Sequence, residues 1–161
     1  MMTPAGWPPH FTLRELTRSA RADKLGIANT PTPEHEASLR ALAWHILQPL
    51  RDHFGQVIPV TSGYRSLKLN AATPGASKTS QHALGQAVDI DMKASPKATI
   101  SNAALFYHLR ANLPFDQMIW EYGTAKEPQW VHVSFVAVKP RGQILRCTGT
   151  PAAPKYAPWV G

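Results

Sequence analysis

Two histidines and one aspartate in this sequence have the side chains and the settings of metal ligands. His82 and Asp89 flank Gly85 in the stretch SQHALGQAVDID, and His132 lies between two valines in WVHVSF. A buried imidazole or carboxylate costs free energy unless a partner satisfies it. Two histidines and a carboxylate match catalytic zinc sites, which use three protein ligands and a water. Spacing alone also permits a plain His–Asp hydrogen bond with an unrelated strand histidine.

The remaining five histidines lie in terminal or helical segments among polar neighbours, where an imidazole is most often a surface or helix-end group. They are predicted to have no role in the site, and they are His10, His35, His45, His53 and His108.

Four sequence motifs resemble one enzyme family. Residues 80–89 resemble the S-x-H-x-x-G-x-A-x-D signature of the M15 zinc D-Ala-D-Ala peptidases, which act on bacterial peptidoglycan and share a fold with the Hedgehog signalling domain. VTSGYRS before this stretch, and FDQMIWE and WVHVS after it, resemble the same family in the same order. The resemblance runs from about residue 11 to 146, and it is greatest to a branch with many phage-borne peptidases.

The resemblance implies roles for five residues. Zinc would bind to His82, Asp89 and His132. Arg65 of SGYRS matches an arginine that in relatives binds substrate and polarises the scissile carbonyl, which suits a guanidinium because its donors are fixed and charged. The alternative is a surface arginine after a turn. Ser80 matches a serine two residues before the first ligand, and it would bind substrate or cap the loop.

The general base is where this chain departs from the family pattern. Several relatives carry an acid three residues before the last histidine, but this chain has Gln129, which cannot take a proton from water at neutral pH. Glu121, at the end of DQMIWE, and Glu127, in the following loop, are the nearby acids. We predict Glu121, because a strand holds a catalytic group more rigidly than a loop. Pairing opposite His132 would also put both side chains on one face.

Hydrophobic periodicity and turn residues predict the elements that must position these side chains. The predicted helices begin at residue 12, extend over 32–54 with a kink at Pro49, and extend over 101–113. The predicted strands cover 57–61, 86–92, 116–122, 129–135 and 142–147. Helices that precede closely connected strands favour an α+β domain. We expect a mainly antiparallel sheet with helices packed on one side, similar to the Hedgehog/DD-peptidase fold.

Length and composition predict one globular domain. The 161 residues, 43% hydrophobic and 17% charged, suit a single core. We expect a peptidase domain over residues 11–147, an N-terminal arm over 1–10 and a Pro-rich C-terminal arm over 148–161. The arms would lie extended over the domain, held by Trp7 and Trp159. The single cysteine, Cys147, excludes an intramolecular disulfide and a Cys-rich zinc site.

Charge and apolar runs limit the partners. A formal net charge of +7 favours nucleic acid, anionic lipid or an anionic cell wall. The basic residues are scattered, which ordinary surface charge explains equally well. No basic–aromatic motif or recognition helix supports nucleic-acid binding. No secretory signal or membrane-spanning stretch is evident, so we expect no stable membrane association.

The resemblance implies a zinc metallopeptidase (a hydrolase) that cleaves peptide bonds in peptidoglycan stems or cross-links, and the basic charge fits an anionic wall. Resemblance to the branch with phage-borne peptidases implies an endolysin, made in the host cytoplasm and acting on the cell wall after release, or a virion-associated lysin. We expect the protein to be a monomer. A non-catalytic, zinc-stabilised wall-binding module is the alternative. Carboxypeptidase and endopeptidase activities both remain open at this point.

Overall fold

A six-stranded sheet forms the centre of the computed structural model, which describes residues 1–161. Its strands are β1 (Val60–Ser62), β2 (Ala87–Ile90), β3 (Gln117–Glu121), β4 (Trp130–Ser134), β5 (Gln143–Thr150) and β6 (Ala153–Pro158). The order across the sheet is β1-β2-β4-β3-β5-β6. All neighbours are antiparallel except β3 and β5, which are parallel. The predicted α+β class and mainly antiparallel sheet are confirmed.

Six α-helices accompany the sheet, several with the caps that the sequence indicates. They are α1 (Leu13–Thr17), α2 (Ala20–Leu25), α3 (Pro33–Leu42), α4 (Gln48–Phe54), α5 (Leu67–Ala71) and α6 (Asn102–Asn112). The hydroxyls of Thr12 and Thr32 accept hydrogen bonds from the backbones of Glu15 and His35. Such caps satisfy amide groups that the first helical turn leaves free. No helix has the length and apolar character needed to cross a bilayer.

The predicted kink at Pro49 takes the form of a π-helical turn. Residues Ala43–Leu47 widen the helix between α3 and α4, directly ahead of the proline. A proline inside a helix lacks one donor, and its ring crowds the carbonyl four residues earlier. A π turn opens the helix at that point without ending it.

The core lies on one face of the sheet, under α1, α3, α4 and α6. A cluster of 23 buried residues joins these helices to alternate strand positions, including Val88, Ile90, Met118, Trp120, Val131 and Val133. Successive strand side chains point to opposite faces. The intervening residues of β2, β3 and β4 therefore face away from the core, and they include Asp89, Glu121 and His132.

The two ends of the chain pack on the domain in different ways. Trp7 and Trp159 both pack against the core cluster, which agrees with the expectation that they hold the arms. Residues 148–161 do not form only an extended arm, because β5 continues to Thr150 and β6 pairs with it along its whole length. Two prolines bound or interrupt β6, and an edge strand tolerates them since one side of its backbone needs no donor.

Candidate metal centre and active site

The three predicted metal ligands meet on the face of the sheet opposite the core. His82 lies in a short 3₁₀ helix (Gln81–Leu84), Asp89 in β2 and His132 in β4. Asp89 and His132 are direct partners in the β2–β4 register. One ligand atom from each of the three residues lies within 4.8 Å of the other two. The sequence motif therefore folds into a cluster that could hold a metal ion.

Gly85 allows His82 and Asp89 to converge. It ends the 3₁₀ helix in the left-handed conformation, with φ of 68°, and the chain then enters β2. A side chain here would be strained by this φ, and its Cβ would lie 2.3 Å from the His35 carbonyl oxygen. Glycine is the residue that fits both demands.

Hydrogen bonds leave two imidazole nitrogens available for a metal. His82 Nδ1 donates to the Gly63 carbonyl at 2.8 Å, so its Nε2 carries the lone pair, 3.4 Å from Asp89 Oδ1. His132 Nδ1 lies 3.1 Å from the same oxygen, and its Nε2 is buried without any partner. A buried nitrogen without a partner is costly. A metal ion would satisfy it, so this donor set fits the expected group.

The protonation states are those that metal binding requires. Burial lowers the pKa of His82, although the Asp89 carboxylate opposes this shift. Burial raises the pKa of Asp89, but the charge of His82 and hydrogen bonds from both histidines outweigh burial and hold it well below its usual range. A neutral imidazole and an ionised carboxylate are the ligand forms of these groups.

Glu121 lies on the same face as the three ligands, although not opposite His132 as expected. The β3–β4 register pairs Glu121 with Trp130 and Ile119 with His132. That expectation was therefore wrong by two residues. A shift of two keeps a side chain on the same face of the sheet, so Glu121 still reaches the site.

The environment of Glu121 changes its proton affinity. The residue is 6% exposed. Burial raises its pKa to about 7 and the Asp89 charge adds to the shift, while His132, the Cys147 thiol and Arg65 oppose it. A carboxyl group with a pKa near neutral can both accept and release a proton under physiological conditions.

The side chains of Glu127 and Gln129, the other two positions considered for the general base, do not point into the site. The Glu127 carboxylate caps α6, accepting from the backbone nitrogens of Asn102 at 2.9 Å and Ala103 at 3.1 Å. Gln129 is exposed, and its backbone nitrogen donates to the Glu121 carbonyl at 2.8 Å. Alternation along the chain places Gln129 and His132 on opposite faces.

Arg65, in the loop after β1, and Ser80, directly before the 3₁₀ helix of His82, also belong to the site. Arg65 Nη2 donates to Ser80 Oγ at 3.4 Å, and Arg65 Nε is buried without a partner. Ser80 Oγ also accepts from the His82 backbone nitrogen at 3.3 Å, so it caps the short helix. The two expected roles of Ser80, capping the loop and facing the substrate, are compatible.

A cleft of about 550 Å³ connects these groups, lined by Arg65, Ser80, His82, Asp89, Glu121 and His132 among others. One guanidinium, two imidazoles and two carboxyl groups therefore share one opening with a possible metal position. A family model described as Peptidase M15 matches residues 9–134, most of the chain. This chain belongs to the Peptidase M15 family. A comparison with curated protein sequences finds no match.

The structure of this M15 peptidase also reveals a buried clamp that the sequence did not indicate. Asp116 is 2% exposed and accepts from Arg141 Nη2 at 2.6 Å and from Gln81 Nε2 at 2.9 Å. Burial raises its pKa, but hydrogen bonds from Arg141 outweigh burial and lower it to about 2. The clamp fixes the residue directly before His82. No local pattern could reveal it, because its members are far apart in the chain.

Proposed function

We propose that this M15 peptidase is a zinc enzyme that hydrolyses peptide bonds in bacterial peptidoglycan stems or cross-links. We further propose that it acts as a phage lysin, either an endolysin or a virion-associated enzyme. The observation that carries the proposal is the presence, in one cleft, of a buried His82–Asp89–His132 cluster and a buried Glu121 whose pKa is about 7. The net charge of +7 favours an anionic wall as the surface on which it acts.

Zinc is the metal that suits the donor set. Zinc is borderline-soft and binds both imidazole nitrogens and carboxylate oxygens, and three protein ligands leave a position open for water or substrate. Zinc bound there would supply a positive charge that acidifies water and polarises a carbonyl. His82 is oriented for this task, because its Nδ1 is fixed on the Gly63 carbonyl and such second partners aim ligand histidines.

Glu121 serves as the proton carrier in the proposed reaction. Its carboxylate takes a proton from the attacking water and then gives it to the nitrogen of the leaving amine. A divalent cation held by the three ligands would favour the charged form of Glu121 and would lower its pKa. The acid is then ionised, and ready to accept a proton, at neutral pH.

Arg65 binds and stabilises oxygen atoms of the substrate. Its guanidinium lines the cleft beside Ser80, and its Nε has no partner in the protein. Guanidinium donors aimed at a carbonyl oxygen stabilise the negative charge that develops there. Ser80 supports this arrangement because its hydroxyl accepts from Arg65.

Mass spectrometry of muropeptides after digestion of purified cell walls tests the proposal. We expect the purified protein to contain about one zinc per chain and to release new peptide ends, and a chelator to abolish both. Glu121→Gln should retain zinc and lose activity by a factor of about 10² to 10⁴, as loss of general acid–base catalysis predicts. Glu127→Gln is the matched control, because its carboxylate caps α6 outside the cleft.

Each alternative gives a different result. Zinc with wall binding and no new peptide ends would favour a non-catalytic wall-binding module. A protein without zinc would contradict the metallopeptidase proposal. An active Glu121→Gln together with an inactive Glu127→Gln would reassign the base.

A further inference from the structure

The C-terminal strands β5 and β6 lie beyond residue 134, where the family match ends. They nevertheless build part of the cleft wall. Leu145 in β5, and Pro154 and Tyr156 in β6, line the same cavity as the proposed zinc ligands. This part of the chain therefore contributes to the site and does not only cover the domain.

Two parallel rows of side chains organise the cleft face of the sheet. In the first row, Asp89 pairs with His132, His132 with Ile119, and Ile119 with Leu145. This row carries two of the proposed zinc ligands. The second row begins two residues further along β3, which is about 7 Å in an extended strand.

The second row contains Glu121 and ends at Tyr156. Trp130 pairs with Glu121, Glu121 with Cys147, and Cys147 with Tyr156. Directly paired residues have side chains on the same face. One small residue, Cys147, separates Tyr156 from the acid, so the two are two strand spacings of about 5 Å each apart.

Strand pairing places Tyr156 next to Cys147, which in turn lies next to the acid. Cys147 is fully buried, with 0% exposure, although it lies on the cleft face. Burial, followed by the charges of Glu121 and Cys147 and a hydrogen bond to the Cys147 thiol, raises the pKa of Tyr156. Tyr156 also opposes the lowering of the Arg65 pKa that burial causes. The phenol therefore remains a protonated donor at neutral pH, in the cleft that Glu121 and Arg65 also line.

The part of Tyr156 that the protein does not cover remains accessible to a ligand. The residue is 53% exposed and lines the cleft. A peptide stem offers mostly acceptor oxygens, from amide carbonyls and free carboxylates, and Arg65 already offers donors to such atoms. A phenol adds a neutral donor that can bind an oxygen without changing the charge of the site.

We infer that Tyr156 is a further substrate-contacting residue, whose hydroxyl donates a hydrogen bond to a carbonyl or carboxylate oxygen of the bound peptide stem. The inference rests on the proposed function, because it takes a wall peptide as the ligand. The contact is made in the ground state and the transition state alike. It therefore sets affinity and not the rate of the chemical step.

Kinetics of Tyr156→Phe on soluble muropeptides tests the inference. The substitution keeps the ring and removes only the hydroxyl. We expect KM to rise about tenfold with kcat within twofold of wild type, as loss of one hydrogen bond shared by both states predicts. Zinc content should not change. Tyr107→Phe is the matched control, since Tyr107 is 46% exposed on α6 and packs near Trp159; its KM should equal that of wild type.

Calorimetry with the same zinc-loaded proteins separates this inference from the proposed function. The titrations use muropeptides and variants made in the Glu121→Gln background, so that the substrate is not hydrolysed. If the wild type hydrolyses nothing, the same titrations are made with Glu121 intact. A tenfold weaker Kd for Tyr156→Phe supports the inference, even where an absence of hydrolysis contradicts the peptidase. An unchanged KM and Kd would overturn the inference and would show that the Tyr156 ring only lines the cleft. Absence of both binding and hydrolysis in the wild type would overturn both proposals.

Discussion

The two faces of the central sheet are both buried at strand β4 but differ in what they bury there. On β4, Val131 and Val133 are 0% exposed and face the core, whereas His132 is 8% exposed and faces the cleft. The valine side chains are apolar, so burial among other apolar groups is favourable for them without any polar partner. His132 has a buried nitrogen without a partner, and nearby Glu121 has a raised pKa. The polar face therefore has groups that a metal ion or a proton could satisfy, whereas the apolar face needs only packing.

The largest difference should come from adjacent substitutions on β4. We expect His132→Ala to lose zinc and to lose activity by a factor of at least about 10³. Added zinc should no longer raise Tm, since a ligand stabilises only a protein that binds it. Val133→Ala should keep zinc while losing about 2 kcal/mol of unfolding free energy, from lost methyl burial and a cavity. Metal analysis and urea melts measure both. Zinc retained by His132→Ala, or lost by Val133→Ala, would break the distinction between the faces.

A smaller effect should appear in the pH dependence of the metal-free protein. Glu121 has a folded pKa of about 7 and an ordinary value of 4.5. Between these values the unfolded chain gives up this proton first, so the carboxyl destabilises the fold as pH rises. The loss of unfolding free energy is about 3 kcal/mol. It is absent below pH 4.5 and complete just above pH 7. Glu121→Gln should escape it.

Urea melts of wild type and Glu121→Gln in chelator measure this difference. The stability of the variant relative to wild type should grow by about 3 kcal/mol from pH 4.5 to 7.5. The comparison between variants removes the opposite contribution of His82, whose pKa is lowered. A difference that does not change with pH would show that Glu121 is not held in a protonating environment.

The smallest effect should come from an acid outside both faces. Glu127 caps α6 with both carboxylate oxygens, so Glu127→Gln should lower unfolding free energy by about 1 kcal/mol. Its kcat should remain that of wild type, because the side chain does not line the cleft. Thermal melts and initial rates measure the two quantities. A loss of kcat with unchanged stability would place Glu127 in the chemistry instead.

Local pattern was sufficient for some parts of the site because local backbone geometry decides them. Alternation in QAVDID places Asp89 on the face opposite Val88 and Ile90, and the structure has this arrangement. Gly85 follows His82 where the chain must turn in the left-handed region. These features depend on neighbours within a few residues, which the sequence displays directly.

Pairing between strands was less predictable. The expectation that Glu121 would face His132 was wrong by two residues, because hairpin register depends on the conformation of the connecting loop. Here that loop begins with two left-handed residues, Tyr122 and Gly123. A positive φ at tyrosine is unusual, and no sequence rule would have placed it there.

The sequence by itself determined the types of the proposed metal ligands, the faces on which they lie and the α+β class. Periodicity and glycine chemistry act over short segments, so they can be read without the fold. Only the tertiary structure decided that Glu121 shares the cleft while Glu127 caps a helix. It also decided that residues 153–158 form a strand that brings Tyr156 into the same cleft as the acid. These facts depend on contacts between distant segments, whose register and packing no local pattern encodes.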